Sequence, residues 1–374
     1  MSADPATSTT PQRELDAARN GDEDAYRDLV EPHRSELRAH CYRMLGSVDD
    51  AEDALQEALL RAWRGLSGFE GRSSLRSWLY RIATNTCLDA IARRPKRVLP
   101  VDYGPATDPH DGPGEPVVES VWMEPYPDER LEVEDGYAAP EARYEQREGV
   151  ELAFIAALQH LPANQRAVLI LREVLAFSAR EVAEALQTTV AAVNSALQRA
   201  RKAVEERLPA QSQQATLRTL GDEGLRDVVD GYVDAWDRGD IDAVVAMLTE
   251  DAAFSMPPLA SWFGGPEGGH EELRAFLTLG PLSGEWRWRH LPVRASGQPA
   301  LAFYSWDERE RTHLPFALNV FTLRDRRISD VTAFVCRSIE RSDRAAYARW
   351  PEQPADPGRL NAYFERFGLP ERVD

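Results

Sequence analysis

Apolar residues recur every third or fourth position from Arg13 to about Arg97, the spacing of amphipathic helices. Leu29, His33, Leu37, Cys41 and Leu45 form one stripe; Ala51, Leu55, Ala58, Leu59, Ala62 and Leu66 form another. At least two helices must therefore pack together here. Gly65, Gly68 and Gly71 break the period. It resumes through Leu75, Trp78, Leu79, Ile82, Ala83, Thr86, Leu88 and Ile91, then runs into the basic cluster Arg93, Arg94, Lys96 and Arg97. Pro95 ends that helix, because proline has no N–H to donate.

From Leu99 to about Pro140 the period disappears, and eight prolines among many acids predict a linker with little core of its own. Trp122, Met123 and Tyr126 interrupt it, either as a short docking segment or as stray apolar residues in a tether. Helical period returns near Glu141 and continues to about Leu208, predicting a compact unit of about four helices. PAQSQQAT, 209–216, predicts a short flexible connection. Beyond it, Gly224–Asp237 and Asp240–Leu248 keep helical spacing, whereas Phe254–Met256, Trp286–Val293, Ala300–Trp306 and Phe316–Leu323 alternate or run in β-branched and aromatic residues. Helices followed by strands predict an α+β domain. The end of the chain is polar and proline-rich up to GRLNAYFERFGLP, an aromatic segment suited to docking.

The 374 residues exceed what one core serves, and 43% hydrophobic with 28% charged residues excludes wholesale disorder. The net charge of −18 argues against nucleic-acid binding only if it is evenly spread. It is not. Leu99–Gly149 holds 14 acids and 3 basic residues, whereas Arg72–Arg97 holds 7 basic residues against Asp89 alone. Cys41, Cys87 and Cys336 are too scattered for a disulfide framework or zinc site, so no metal or cofactor is expected and a reducing cytoplasm is. MSADPATSTT has no signal-peptide pattern, and no apolar run is long enough to span a bilayer, so no membrane association is expected.

Three segments carry the chemistry. In SAREVAEALQTTVAAVNSALQRARKAV, Ser178 and Glu181 have capping-box spacing, and the break at Leu186–Thr189 separates two short helices that would pack through Val182, Ala183, Leu186, Val193 and Leu197. Asn194, Ser195, Gln198 and Arg199 then fall on the opposite face, where such groups can read base edges in a major groove, with Arg201, Lys202 and Arg207 over phosphates. An ordinary helical hairpin with a solvated face also fits. In FEGRSSLRSWLYRIATNTCLDAIARR, aromatics among arginines suit unpaired bases, with Asn85 about two turns beyond Trp78; a core tryptophan beside solvated arginines is the alternative. In DDAEDALQEALLRAW, one face carries Asp49, Glu52, Asp53, Gln56 and Glu57, suited to a basic partner or to solvent.

In this order and spacing the three segments resemble the extracytoplasmic-function sigma factors of bacterial RNA polymerase, over about Gly21–Pro209. The resemblance implies two all-α sigma domains, region 2 over 21–98 and region 4 over 141–209 with its helix-turn-helix at 178–204, joined by an acidic linker over 99–140 and preceded by a disordered tail over 1–20. It implies that Glu52, Asp53, Gln56 and Glu57 contact core RNA polymerase, whose clamp and flap are the expected partner surfaces. Arg72, Ser73, Ser74, Trp78, Arg81, Asn85, Arg93 and Arg94 would serve the minus-10 element, the Ser67–Ser74 loop and Asn85 holding a flipped base; Asn194, Ser195, Gln198, Arg199, Arg201 and Lys202 would serve the minus-35 element. The linker is longer and more acidic than is usual in that family, and the recognition helix carries Asn, Ala and Gln where many members carry arginine.

Residues 217–340, through VVDGYVDAWDRGDIDAVVAMLTEDAAFSMPP, GGHEELRAFL and NVFTLRDRRISDVTAF, resemble SnoaL-like domains, a curved sheet with helices closing a conical pocket; 341–374 would be a tail. That implies regulation by the chain's own extension, through docking on the sigma domains or their linker. His270, His290, His313 and Asp307 are the residues available for proton transfer in such a pocket, though no spacing forces two together, and Trp262, Trp286, Trp288 and Trp306 either line it or form core. The expectation is a promoter-directing subunit without chemistry of its own. A pocket enzyme tethered to DNA and a one-component helix-turn-helix regulator are the alternatives.

Overall fold

The computed structural model describes residues 10–114, 116–117, 121–131, 147–308, 310–336 and 363–374. They divide into two compact units, Met1–Arg94 with Ala157–Arg207, and Pro95–Ala156 with Leu208–Asp374.

The first unit is helical. Helix α1 (Thr10–Arg19) corrects the expectation of a disordered tail over 1–20: Ala18 is buried, and the Arg19 guanidinium donates to the Phe69 carbonyl. Residues 1–9 lie outside the described residues. Helix α2 (Glu23–Leu45) starts where the Asp22 carboxylate accepts from the Asp24 and Ala25 amides. It stops at Gly46, whose φ of 72° suits glycine and turns its N–H onto the Tyr42 carbonyl. Ser47 caps α3 (Val48–Gly65) and Ser74 caps α4 (Leu75–Ile91). The glycine-broken stretch between them forms a 3-10 turn, Leu66–Gly68. Leu37, Cys41, Tyr42, Leu55, Leu79 and Ala83 fill the centre of this module.

Helix α5 (Pro100–Tyr103) belongs to the second unit. Helix α6 (Leu152–Gln159) is followed by α7 (Ala163–Leu169), a π-helical turn (Ile170–Val174), α8 (Ala179–Ala185) and α9 (Val190–Glu205). The Ser178–Glu181 capping box forms in both directions, at 3.2 and 2.8 Å, and the Thr189 hydroxyl caps α9. Val182, Ala183, Val193, Leu197, Ala200 and Val204 are buried, as the sequence period requires.

The second unit is α+β. After α10 (Gln213–Asp237) and α11 (Ile241–Ala246) come β1 (Leu248–Ser255), β2 (Trp262–Gly264), α12 (Gly265–Leu279), β3 (Trp288–Ala295), β4 (Gln298–Asp307), β5 (Thr312–Arg324) and β6 (Arg327–Val335). The strand order is β2-β1-β6-β5-β4-β3, antiparallel except for the parallel pair β1 and β6. Tyr232, Trp236, Phe276 and Leu277 from the helices pack with Phe303, Phe321 and Val331 from the sheet.

Three segments read as linker or tail are part of this unit. The 209–216 connection is corrected from residue 213 onward. The Glu151 carboxylate accepts from the Gln213 and Gln214 amides at 3.2 and 2.9 Å, and the Gln213 side chain bonds both the N–H and the C=O of Leu323, each at 2.8 Å. Polar residues that read as a tether are buried because their amides satisfy peptide groups of the sheet. At the chain end the aromatic segment is docked, as its composition suited, and the tail assignment is corrected over 363–374: Phe364 and Phe367 are buried and Val373 exchanges backbone hydrogen bonds with His313 at 3.0 and 3.1 Å.

The acidic linker is the third. Val98 pairs with the Val121–Met123 strip, while Thr107 donates to the Trp262 carbonyl and Val117 to that of Pro258. Tyr126 is fully buried; its N–H donates to Ser296 Oγ at 3.0 Å and its C=O accepts from the Ser296 N–H at 2.7 Å. Asp128 accepts from the Gly297 amide at 2.7 Å and lies 3.5 Å from Arg294. Trp122, Met123 and Tyr126 are thus docking residues. The linker has no core because it borrows the sheet's. Residues 132–146 of the linker and of the expected return of helix lie outside the described residues.

Candidate functional site

Helix α9 buries one side and leaves Asn194, Ser195, Gln198, Arg199 and Lys202 exposed on the other. At about 100° per residue, Ser195, Gln198, Arg199 and Lys202 centre on the direction opposite Val193, Leu197, Ala200 and Val204, with Asn194 at the rim. Arg201 lies beside the buried edge and is held 2.7 Å from Glu173. It is therefore a flanking residue, not one at the centre of the face. Lys202 is 81% exposed, its ammonium 4.0 Å from Glu206, free to move onto a phosphate.

Helix α4 divides its expected site residues by burial. Arg81 and Asn85 are exposed one turn apart, and Arg93 is exposed beyond its end. Arg72 and Ser73 are exposed in the preceding loop, Arg72 2.9 Å from Glu70. Ser74 is exposed too, but its Oγ is engaged in capping the helix at the Ser77 amide. Trp78 is the correction. It is only 6% exposed, its ring centroid is 5.0 Å from that of Phe69, and it backs onto Gly65, so it is core and offers no free face to a base. Arg94 is paired with Asp50 and lies 3.8 Å from Asp53.

On α3 the outward stripe is Asp49, Asp53, Gln56 and Leu60, spaced four, three and four residues apart. Glu52 and Glu57 flank it and are tied to Arg38 at 2.9 Å and Arg61 at 2.7 Å. The exposed leucine, 49% accessible at the end of the acidic stripe, was missed by sequence reasoning. Its phase relative to Asp53 and Gln56 was the available signal.

The C-terminal domain holds a cavity of about 200 Å³. Trp286, Trp288, Phe303, Phe316 and Phe276 line it, with Asn319 as the polar exception, and Pro109, Gly112 and Pro113 of the linker contribute to its wall. Trp262 and Trp306 do not line it: the Trp262 indole donates to the Gly104 carbonyl of the linker at 2.9 Å, and Trp306 lies under the Arg287 guanidinium. Nor does the structure bring His270, His290, His313 and Asp307 together. His270 lies 2.9 Å from the Thr249 carbonyl and His313 3.2 Å from that of Val373. His290 instead pairs with Asp237, a residue the sequence did not single out, at 3.2 Å. Burial holds its imidazole at about 4 against the pull of that carboxylate, so the ring is neutral. Among the described residues, none that lines the cavity carries an ionisable side chain.

Family models for Sigma-70 region 2, Sigma-70 region 4 and a SnoaL-like domain match residues 29–97, 151–204 and 229–331. The ECF RNA polymerase sigma factor SigG of Mycobacterium tuberculosis is 43% identical over 330 residues, covering 86% of this chain and 84% of that protein. The chain is an extracytoplasmic-function sigma factor. The sigma factor SigW of Bacillus subtilis is 28% identical over 201 residues, covering 53% of this chain and 96% of its own. The crystal structure of the Mycobacterium tuberculosis extracytoplasmic function sigma factor SigJ matches with a TM-score of 0.49 at 20% identity, over 85% of this chain and 96% of that one.

In this sigma factor, regions 2 and 4 pack within one compact unit. The Arg76 guanidinium sits between the rings of Tyr80 and Phe177, 4.9 and 5.0 Å from their centroids, and Ser77 Oγ donates to Glu181 at 3.3 Å. Arg166 is buried with no carboxylate partner among the described residues. Its guanidinium donates to the Met44 carbonyl at the end of α2, to Gln159 and to the Leu161 carbonyl, and burial lowers it to about 10. The sequence shows Arg166 as the single basic residue of a short helix, ANQRAVL; only the fold reveals it as the joint between the two regions. Among the described residues no helix is long and apolar enough to cross a membrane.

Proposed function

We propose that this sigma factor, working in the cytoplasm, directs core RNA polymerase to promoters through three faces. The α3 stripe of Asp53, Gln56 and Leu60, flanked by Glu52 and Glu57, meets the polymerase clamp, and region 4 meets the flap. Arg72, Ser73, Arg81, Asn85 and Arg93 serve the minus-10 element, with Arg94 joining if it leaves Asp50. Asn194, Ser195, Gln198, Arg199 and Lys202 read the minus-35 element. Groups that touch base edges confer selectivity, while lysine and arginine over phosphates confer affinity.

The C-terminal domain sets output by holding the linker. The observation that carries this is the docking of the linker on the C-terminal domain through Thr107, Val117 and Tyr126, the last fully buried and bonded in both directions to Ser296. An acidic strap held there is withheld from the basic channels of a nucleic-acid enzyme, and its release supplies the charge complementarity that assembly with core polymerase uses. Docked linker means low output; released linker means high output.

In-vitro transcription with core polymerase tests this on the full chain. A Tyr126→Ala, Asp128→Ala double variant is expected to raise promoter output severalfold at equal sigma concentration. Unchanged output, with faster proteolysis showing that the linker has left the sheet, overturns the linker reading. Failure of the wild-type chain to start transcripts with any core enzyme overturns the larger one.

A further inference from the structure

The cavity described above belongs to none of the three promoter and polymerase faces. Its wall is built almost wholly from aromatic and aliphatic side chains, two of them the stacked indoles of Trp286 and Trp288, 5.1 Å apart and inclined by 10°. Against them stands the amide of Asn319, 2% exposed, whose Oδ1 is buried with no hydrogen-bond donor among the described residues. A buried polar atom left without a partner is destabilising, so such groups are normally satisfied. Leu318 and Val320, its neighbours on β5, are buried and apolar, and an aliphatic residue at 319 would pack the wall without that cost. Nor is a single water a ready partner, since it needs two to four polar contacts. The Trp288 N–H is already given to the Pro281 carbonyl at 2.8 Å.

The geometry points to a binding site for a small, flat, largely apolar molecule of one or two rings carrying one hydroxyl, its ring against Trp286 and Trp288, its hydroxyl on Asn319, and its far side against the linker. The volume of about 200 Å³ sets the size, being a little above that of cavities that admit a single benzene ring. The hydroxyl suits an asparagine amide because it can donate to Oδ1 or accept from Nδ2. Leu279, 54% exposed and yet lining the cavity, marks its rim.

The linker wall makes the site a sensor. Pro109, Gly112 and Pro113 line the cavity only while the segment is docked, where Thr107 bonds to Trp262, Val117 to Pro258 and the Pro113 carbonyl to Ser261 Oγ at 2.5 Å. A ligand touching that wall binds the docked state better than the undocked one, so it shifts the linker toward the sheet. This regulatory half rests on the linker reading given above; the binding half does not. By that reading, the ligand lowers promoter output.

Calorimetry on the full-length chain with 2-naphthol, phenol and indole as probes tests the site. The expected result is saturable binding of 2-naphthol, about tenfold weaker in Asn319→Leu, the factor a single hydrogen bond accounts for. Binding is expected to vanish in Ala317→Leu, which fills the cavity. Two variants keep the test sound if one fails to fold. No saturable binding of any probe to the wild-type chain, or equal binding to wild type and both variants, overturns the site. Hydrogen exchange of the Thr107 and Val117 amides reads the linker: slowing by 2-naphthol supports the coupling, and unchanged exchange at saturation overturns it. Binding with slowed exchange but unaltered transcription by core polymerase sinks the linker's regulatory role and leaves the site standing.

Discussion

Arg166 donates a hydrogen bond to the main-chain carbonyl of Met44, 122 residues before it in the chain. The carbonyl belongs to the last turn of α2, where the helix leaves its C=O groups unpaired and the dipole is negative. A guanidinium suits this place because its fork of donors reaches several carbonyls at once, here those of Met44, Gln159 and Leu161. Among the described residues no carboxylate neutralises it, and its charge is held by peptide and amide dipoles. Regions 2 and 4 are thus joined by a buried polar plug, with the Ser77–Glu181 hydrogen bond as a second, exposed polar link.

Replacing that plug should loosen the joint. Arg166→Leu leaves three carbonyls without donors and is expected to cost the helical unit about 2–4 kcal/mol. Arg166→Lys, with a point charge instead of a fork, should cost about half as much. Urea unfolding followed by helical circular dichroism checks both. A loss below about 0.5 kcal/mol for Arg166→Leu would mean that the other contacts hold the regions together without it.

The face of α9 predicts a division of labour. Gln198→Ala should lower transcription from the cognate promoter by about tenfold and relax preference at one base pair of the minus-35 element, since a good side-chain contact to a base is worth about 1–3 kcal/mol of discrimination. Lys202→Ala should weaken binding evenly across sequences and reduce its salt dependence. Arg201→Ala should do less than Lys202→Ala, because Glu173 already holds that guanidinium. A promoter panel transcribed at two salt concentrations separates these outcomes.

Leu60 and Asp53 share the outward stripe of α3, and both should matter to core polymerase. Leu60→Glu and Asp53→Lys are each expected to weaken assembly about tenfold or more, with little effect on folding because both side chains are exposed. Competition between variant and wild-type sigma for limiting core enzyme measures this. Glu52→Gln is expected to affect stability as well, since it loosens Arg38.

His40 makes the helical unit sensitive to acid. It is fully buried, with Nε2 2.9 Å from Thr84 Oγ1 and Nδ1 without a partner, and burial lowers its pKa to about 3 from an ordinary 6.5. Below pH 6.5 the unfolded chain takes up a proton that the folded unit refuses, so stability is full above that pH and declines toward pH 3. The slope is at most about 1.4 kcal/mol per pH unit. Between pH 7 and 5 the wild type should therefore lose about 2 kcal/mol more than His40→Gln, measured by urea unfolding at each pH. Parallel losses in the two proteins would show that another group controls the acid response.

The helical half was largely legible in the sequence because its determinants are local. Capping residues such as Ser178 and Thr189, and apolar residues three and four apart, specify each helix and its buried side without reference to the rest of the chain. The same phase placed Gln198 and Lys202 on the outer face of α9. It could not place Trp78, because an aromatic among arginines has the same pattern whether it covers Phe69 or faces solvent. The fold settled that by burying it. Strands β3, β4 and β5 were visible as alternating or aromatic runs and β1 only at its last two residues, but β2 is only three residues long and β6 begins in the charged turn Asp325–Arg327, so neither stood out.

Sequence by itself determined the family of this chain, its helical modules and which side of each helix is apolar, since these follow from short-range spacing. Tertiary structure alone decided what the polar and proline-rich segments do. Gln213, Gln214 and Tyr126 look like parts of tethers because nothing nearby in the chain satisfies them; their partners lie at Leu323, Gly297 and Ser296, brought close only when the sheet forms. A hydrogen bond between residues more than eighty positions apart leaves no periodic trace. The cavity behind Asn319 likewise exists only once helices, sheet and linker have closed around it.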